Sequence, residues 1–133
     1  MTTVEWEPIP SELNVLSGSV VDAAYRVHSQ LGPGLLESVY SACLVYELRK
    51  RGHSVETEVH LPIVYESMKL DAGLRLDIVV ERRLVIEIKA VNDMNPVFEA
   101  QLITYLKLSR LRLGLLINFN VQNISDGILR RVR

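Results

Sequence analysis

The stretch from Leu74 to Ala90 constrains this chain more than any other. Leu, Ile and Val fill its two arms, and Glu81-Arg82-Arg83 interrupts the apolar run, the pattern of two strands joined by a tight polar turn. Strand side chains alternate faces, so Arg75, Asp77 and Val79 are expected on one face, and Val85, Glu87 and Lys89 likewise share a face. A three-residue loop at Glu81–Arg83 pairs Val80 with Leu84 and makes the register symmetric about Arg82. Asp77 then stands opposite Glu87, and Arg75 opposite Lys89. Facing residues of an antiparallel pair have Cβ atoms roughly 4.5–5.5 Å apart, where like charges repel. Two carboxylates held that close on an apolar hairpin call for a cation between them, and carboxylate oxygens suit Mg²⁺ or Mn²⁺. Lys89, one pleat along from Glu87, reaches the same place. The competing explanation is an ordinary salt-bridge network of Asp77 and Glu87 with Lys89 and Arg75.

The rest of the chain reads as helix, helix, strands, helix, strand. Residues 1–11 form an N-terminal arm in which Pro8 and Pro10 discourage regular structure and Trp6 is pinned locally; residues 12–133 form one domain. Leu13, Leu16, Val20, Ala24, Val27 and Leu31 recur at helical spacing, from about Glu12 or Leu16 to Gln30, with Ser11 as a cap and His28 as a helix-end residue. Gly32-Pro33-Gly34 stops that helix. A second runs from about Leu35 to Arg51, closed by Gly52, and Glu37 in its first turn suits the helix dipole. His53–Tyr65 alternates loosely as a strand that Pro62 confines to an edge or breaks, and Met68–Val80 is a long strand with a bulge at Gly73. Asn95 caps a third helix with Pro96 at its first position, running to about Leu108. That helix is apolar nearly all round, which predicts burial, and a buried Gln101 needs hydrogen-bond partners. Gln101 and Tyr105 share one of its faces. Leu111–Asn120 reads as a strand buried on both faces, and Ile124–Arg133 as a short segment whose Arg130, Arg131 and Arg133 form a solvated tail.

Composition narrows the function. At a net charge of −1 the chain lacks the broad basic surface of a nonspecific nucleic-acid binder, so any such grip is local. A single cysteine, Cys43, excludes an internal disulfide and a cysteine-type zinc site and reads as a buried structural thiol. No apolar run is long enough to span a membrane, and the first residues lack the pattern of a signal peptide, so a cytoplasmic location is expected.

An Asp followed by Glu-x-Lys on the next strand, here Asp77 and Glu87-Ile88-Lys89, resembles the PD-(D/E)XK nuclease superfamily. Gly34-Leu35-Leu36-Glu37-Ser38-Val39-Tyr40 is similar to the motif that names its GxxExxY family, and Gln101-Leu102-Ile103-Thr104-Tyr105 to the Q-x-x-x-Y helix motif of its exonuclease-like branch. Leu76 stands where the superfamily's name has proline, a change many members share. The resemblance implies an α+β, restriction-endonuclease-like core, a mixed sheet of about four to five strands flanked by helices. It implies phosphodiester hydrolysis, in DNA, with Mg²⁺ or Mn²⁺ held by Asp77, Glu87, the Ile88 carbonyl and, directly or through water, Glu37. Lys89 would orient or deprotonate water or stabilise developing charge, and Gln101, Tyr105 and Tyr40 would support the site or touch substrate. A domain that keeps the fold but only binds nucleic acid or a partner protein is the alternative. The edge near Pro62 and the Arg-rich C-terminus could each serve a homodimer.

Overall fold

Leu13, Leu16, Val20, Ala24 and Val27 line one face of the first helix, α1 (Ser11–Leu31), and all five are buried. The computed structural model describes residues 8–133; the expectation for Trp6 lies outside the described residues. Ser11 is already helical and does not cap. Pro10 holds the cap position without a side-chain hydrogen bond, because its fixed backbone can lead into a helix. Gly32 (φ 70°) and Gly34 (φ 97°) adopt left-handed backbone, which turns the chain sharply into α2 (Glu37–Lys50). That turn consumes Leu35 and Leu36, so α2 begins two residues later than its apolar pattern suggests.

Five strands follow the sheet order β1 (Val55–Tyr65), β2 (Met68–Val80), β3 (Leu84–Lys89), β4 (Leu113–Asn118), β5 (Ile128–Val132). All neighbours are antiparallel except β3 and β4, which run parallel through the crossover helix α3 (Pro96–Ser109). Pro62 does not break β1. The strand is an edge, where a missing N–H costs no ladder bond, and the register shifts between Leu61 and Ile63. Gly73 lies opposite this irregularity; a Cβ there would come within 2.6 Å of Ile63 Cγ1.

Two cores flank the sheet. Helices α1 and α2 pack with Ile78, Val80, Leu84, Ile86, Ile88, Leu115 and Ile117 on one face. Leu102 and Leu106 of α3 pack with Leu74, Leu76, Val79, Val85 and Leu116 on the other. Among the described residues the outcome is an α+β architecture with a mixed five-stranded sheet and three α-helices. Among the described residues no helix is long and apolar enough to cross a membrane.

Further expectations fail. The C-terminal segment is not a solvated tail: after a 3-10 turn (Ile124–Gly127), β5 pairs with β4 and closes its open edge, satisfying backbone groups that would otherwise be orphaned. Arg131 ion-pairs with Glu99, and Arg130 donates to Asn14 Oδ1 at 2.7 Å. Nor is α3 buried all round. One sheet covers one stripe of a helix, so Leu102 and Leu106 go in while Val97, Ile103 and Leu108 remain 47, 46 and 43% exposed. Gln101 faces solvent as well, so the need for buried partners does not arise.

Asn95 caps α3 as its sequence suggests, Oδ1 accepting from Val97 N at 3.0 Å. The close approach of α3 to the sheet depends on Gly114 of β4, where a Cβ would lie 2.7 Å from Leu102 Cδ1 and 3.3 Å from Leu106 Cδ2. Although valine favours strands, Gly114→Val is expected to lower unfolding free energy by about 1–3 kcal/mol through overpacking, measured by urea denaturation. An unchanged urea midpoint would show that α3 is not held at this spacing.

Candidate functional site

The site begins where two strands stop pairing. Residues Glu81 and Arg82 both adopt φ 53°, and Arg83 N donates to Val80 O at 3.0 Å, closing a three-residue turn. The ladder then runs Val80–Leu84, Val79–Val85, Ile78–Ile86, symmetric about Arg82. Beyond Ile78 and Ile86 side chains take over from the backbone. Asp77 N donates to Glu87 Oε1 at 3.3 Å, and Ile88 N donates to Asp77 Oδ2 at 3.1 Å. The two carboxylates stand across from one another, each bonded to the opposite strand.

The alternation of β2 changes here. Leu74 and Leu76 pack on the α3 side, whereas Ile78 and Val80, of the same parity, pack on the α1–α2 side. Opposite Asp77 on β1 sits Glu58, with φ 50°, between the pairs Thr57–Ile78 and Val59–Leu76. Left-handed backbone at a non-glycine residue is uncommon and marks a local kink. Arg75 and Val79 therefore do not share a face, contrary to strict alternation. Nor does Arg75 meet Lys89: it pairs with His60 of β1, and its guanidinium lies 3.6 Å from Glu58 and 3.7 Å from Asp77.

Glu87 is 6% exposed. Burial first, then the hydrogen bond to the Asp77 side chain and the Asp77 charge, push its carboxyl up to about 9; the Asp77 N–H and the Lys89 charge pull weakly the other way. The metal-free pair thus holds a proton at neutral pH. Lys89, half-buried at the end of β3, places Nζ 4.4 Å from the centroid of the Phe98 ring. Its neighbour on β4 is Asn118, which is buried. Asn118 Oδ1 accepts from Val91 N and Asn120 N, and Nδ2 donates to Val91 O, so this side chain ties down the loop that follows Lys89. Sequence reasoning missed Asn118. The available signal was a polar amide ending an otherwise apolar, doubly buried strand, which demands partners.

Two clefts meet at Arg75 and Asp77. One, about 380 Å³, lies toward α3 and is lined by Glu87, Lys89, Gln101 and Tyr105. Burial, and then the charges of Glu87 and Asp77, raise the Tyr105 phenol above its ordinary value, against the pull of Arg75, so it remains a hydrogen-bond donor. The other, about 660 Å³, lies toward α2 and is lined by Glu37, Ser41, Tyr46, Thr57 and Ile88 among others. Glu37 shares that cleft with Asp77, but among the described residues no three His, Cys, Asp or Glu side chains converge into a metal-binding group. Direct approach of Glu37 to both carboxylates is absent from this conformation.

Tyr40 lines neither of these two clefts. It is fully buried and stacked on Phe119 at 4.7 Å; its hydroxyl donates to Gly32 O (2.6 Å) and accepts from Leu35 N (3.1 Å). The tyrosine locks the turn that launches α2, and so sets where Glu37 emerges. His28 Nε2 bonds the Val121 carbonyl at 2.7 Å, the helix-end role its position suggests.

A family model describing the PD-(D/E)XK nuclease superfamily matches residues 14–132. Comparisons with curated proteins and with solved structures found no match.

Two outcomes test this geometry. Tyr40→Phe keeps the stacked ring but orphans Gly32 O and Leu35 N, and should cost about 1–2 kcal/mol in chemical denaturation. For Glu87 the folded value lies above the unfolded one, so its contribution is complete below the unfolded value and is lost as pH rises toward about 9. Metal-free protein should lose stability from about pH 5 upward, by at most about 1.4 kcal/mol per pH unit, and Glu87→Gln should flatten that slope. A wild-type slope shared by the glutamine variant would place the proton elsewhere.

Proposed function

The chain belongs to the PD-(D/E)XK nuclease superfamily, and from that premise we propose that it is a divalent-metal-dependent nuclease of the GxxExxY type, hydrolysing phosphodiester bonds in DNA. The observation that carries the reading is the facing Asp77–Glu87 pair on parting strands, Asp77 half-buried and Glu87 buried, a place where one positive charge is already needed and a proton supplies it. Oxygen donors, a shared charge deficit and an adjacent cleft fit Mg²⁺ or Mn²⁺. Asp77 and Glu87 would hold the ion, with the Ile88 carbonyl as a third donor and Glu37 acting from the α2 side through water. Such an ion, when bound, lowers the pKa of water and neutralises charge on a phosphate.

The remaining roles fall to residues of the chain. Lys89, beside Glu87 on the same strand, would orient or deprotonate the attacking water, or offset charge growing on the phosphate oxygens. It stands over the Phe98 ring and lines the α3-side cleft. Tyr105, kept protonated, and Gln101, solvent-facing on the same wall, would donate hydrogen bonds to the substrate backbone. Tyr40 acts through the Gly32–Leu36 turn rather than on substrate. The chemistry is suited to the cytoplasm, with nucleic acid as the partner.

The exposed apolar side chains of α3, Val97, Ile103 and Leu108, favour a second reading. In it the domain is catalytically silent and docks on a partner protein or a second copy while retaining nucleic-acid binding.

Purified protein with Mg²⁺ or Mn²⁺ is expected to cleave DNA, and EDTA to stop it. Lys89→Ala should reduce the rate by about 10²–10⁴-fold with unchanged circular dichroism, and Asp77→Asn by at least as much. Equal cleavage by wild type and the lysine variant would trace the activity to a contaminant. Absence of cleavage with retained DNA binding would favour the silent domain.

A further inference from the structure

Resting on the nuclease reading, we propose that the substrate is single-stranded nucleic acid, with a base stacked on Tyr46 in the α2-side cleft and the scissile phosphate at Asp77. Tyr46 is 70% exposed although it is a large aromatic side chain on a well-formed helix. It stands on the face of α2 that walls the larger cleft, next to Ala42 and Val45. An aromatic ring beside small apolar side chains is a stacking platform, and a base in a single strand presents a π-face to it whatever its identity. Bases in a duplex are already stacked on one another.

Size and charge agree. At about 660 Å³ the cleft is on the scale of a small-ligand pocket, about 300–1,000 Å³, enough to take one unstacked base and its sugar. Its cations are Arg49, already donating to the Val55 carbonyl at 2.9 Å, and Arg75, already beside Glu58 and Asp77. Against these stand the carboxylates of Glu37, Glu58 and Asp77. Two guanidinium groups against three carboxylates, on a chain of net charge −1, leave little for the phosphate grip that dominates duplex binding. Affinity must then come from base contacts, which a single strand exposes. The hydroxyls of Ser38, Ser41 and Thr57 line the same walls and supply neutral donors for the backbone. The α3-side cleft shares Arg75 and Asp77 with this one and is lined by Tyr105.

The test is fluorescence anisotropy with a labelled mixed-sequence DNA oligonucleotide, alone or annealed to its complement. Lys89→Ala protein in Mg²⁺ serves as the background so that the probe stays intact. The single strand should bind at least tenfold more tightly than the duplex. Adding Tyr46→Ala should weaken single-strand binding about tenfold and leave duplex binding unchanged, while Tyr46→Phe should retain the affinity. Duplex binding as tight as the single strand, no measurable single-strand binding, or an alanine variant equal to the parent would each overturn the proposal. These outcomes are read without turnover, so they are distinct from a failure of the nuclease reading, which shows as absence of metal-dependent cleavage by wild type.

Discussion

Two carboxylates that substitute for rungs of a β-ladder determine the shape of this molecule's centre. Up to Ile78 and Ile86 the hairpin is held by backbone pairing. One residue further, Asp77 and Glu87 each reach across to the opposite backbone N–H. That exchange lets β2 leave β3 without orphaning buried amides, an outcome that would otherwise be costly. It also places two acidic groups together where one of them is almost wholly desolvated. The parting of the strands and the charge deficit between them are consequences of the same pair of side chains.

The surrounding scaffold holds this pair in place from three directions. Parallel pairing with β4 fixes β3 along its length, and Asn118 fastens the loop beyond Lys89. From the α1–α2 side, Tyr40 binds both ends of the glycine-containing turn and stacks on Phe119, so the start of α2 is set by buried contacts. From β1, the kink at Glu58 accompanies the change of face in β2. Groups on rigid elements, supported by packed neighbours, are what a preorganised site needs.

Much of this was legible in the sequence because it is local. The turn at Arg82 fixed the register, and the register brought Asp77 opposite Glu87. Asn95-Pro96 marked the start of α3, and the glycines around Pro33 marked the gap between the first two helices. What escaped depends on contacts distant in the chain. A strict two-residue period cannot anticipate a face change imposed by a left-handed residue on a neighbouring strand. An apolar helix does not say how many of its faces find a partner, so the burial of α3 and of Gln101 was overstated. Arg130, Arg131 and Arg133 looked like a solvated tail because the need of β4 for a partner on its far edge is invisible in the segment itself. Tyr40 shows the same limit: its spacing from Glu37 puts it near the site, yet the side chain points into the core and acts on the turn before the helix.

In the proposed nuclease a divalent ion takes the place of the proton held between Asp77 and Glu87. Isothermal titration of the protein with Mg²⁺ or Mn²⁺ at neutral pH, in buffers of different ionisation enthalpy, measures ion binding and proton release together. One ion is expected to bind with release of about one proton, and Glu87→Gln to lose that release. No binding, or binding without proton release that survives Asp77→Asn, would contradict it.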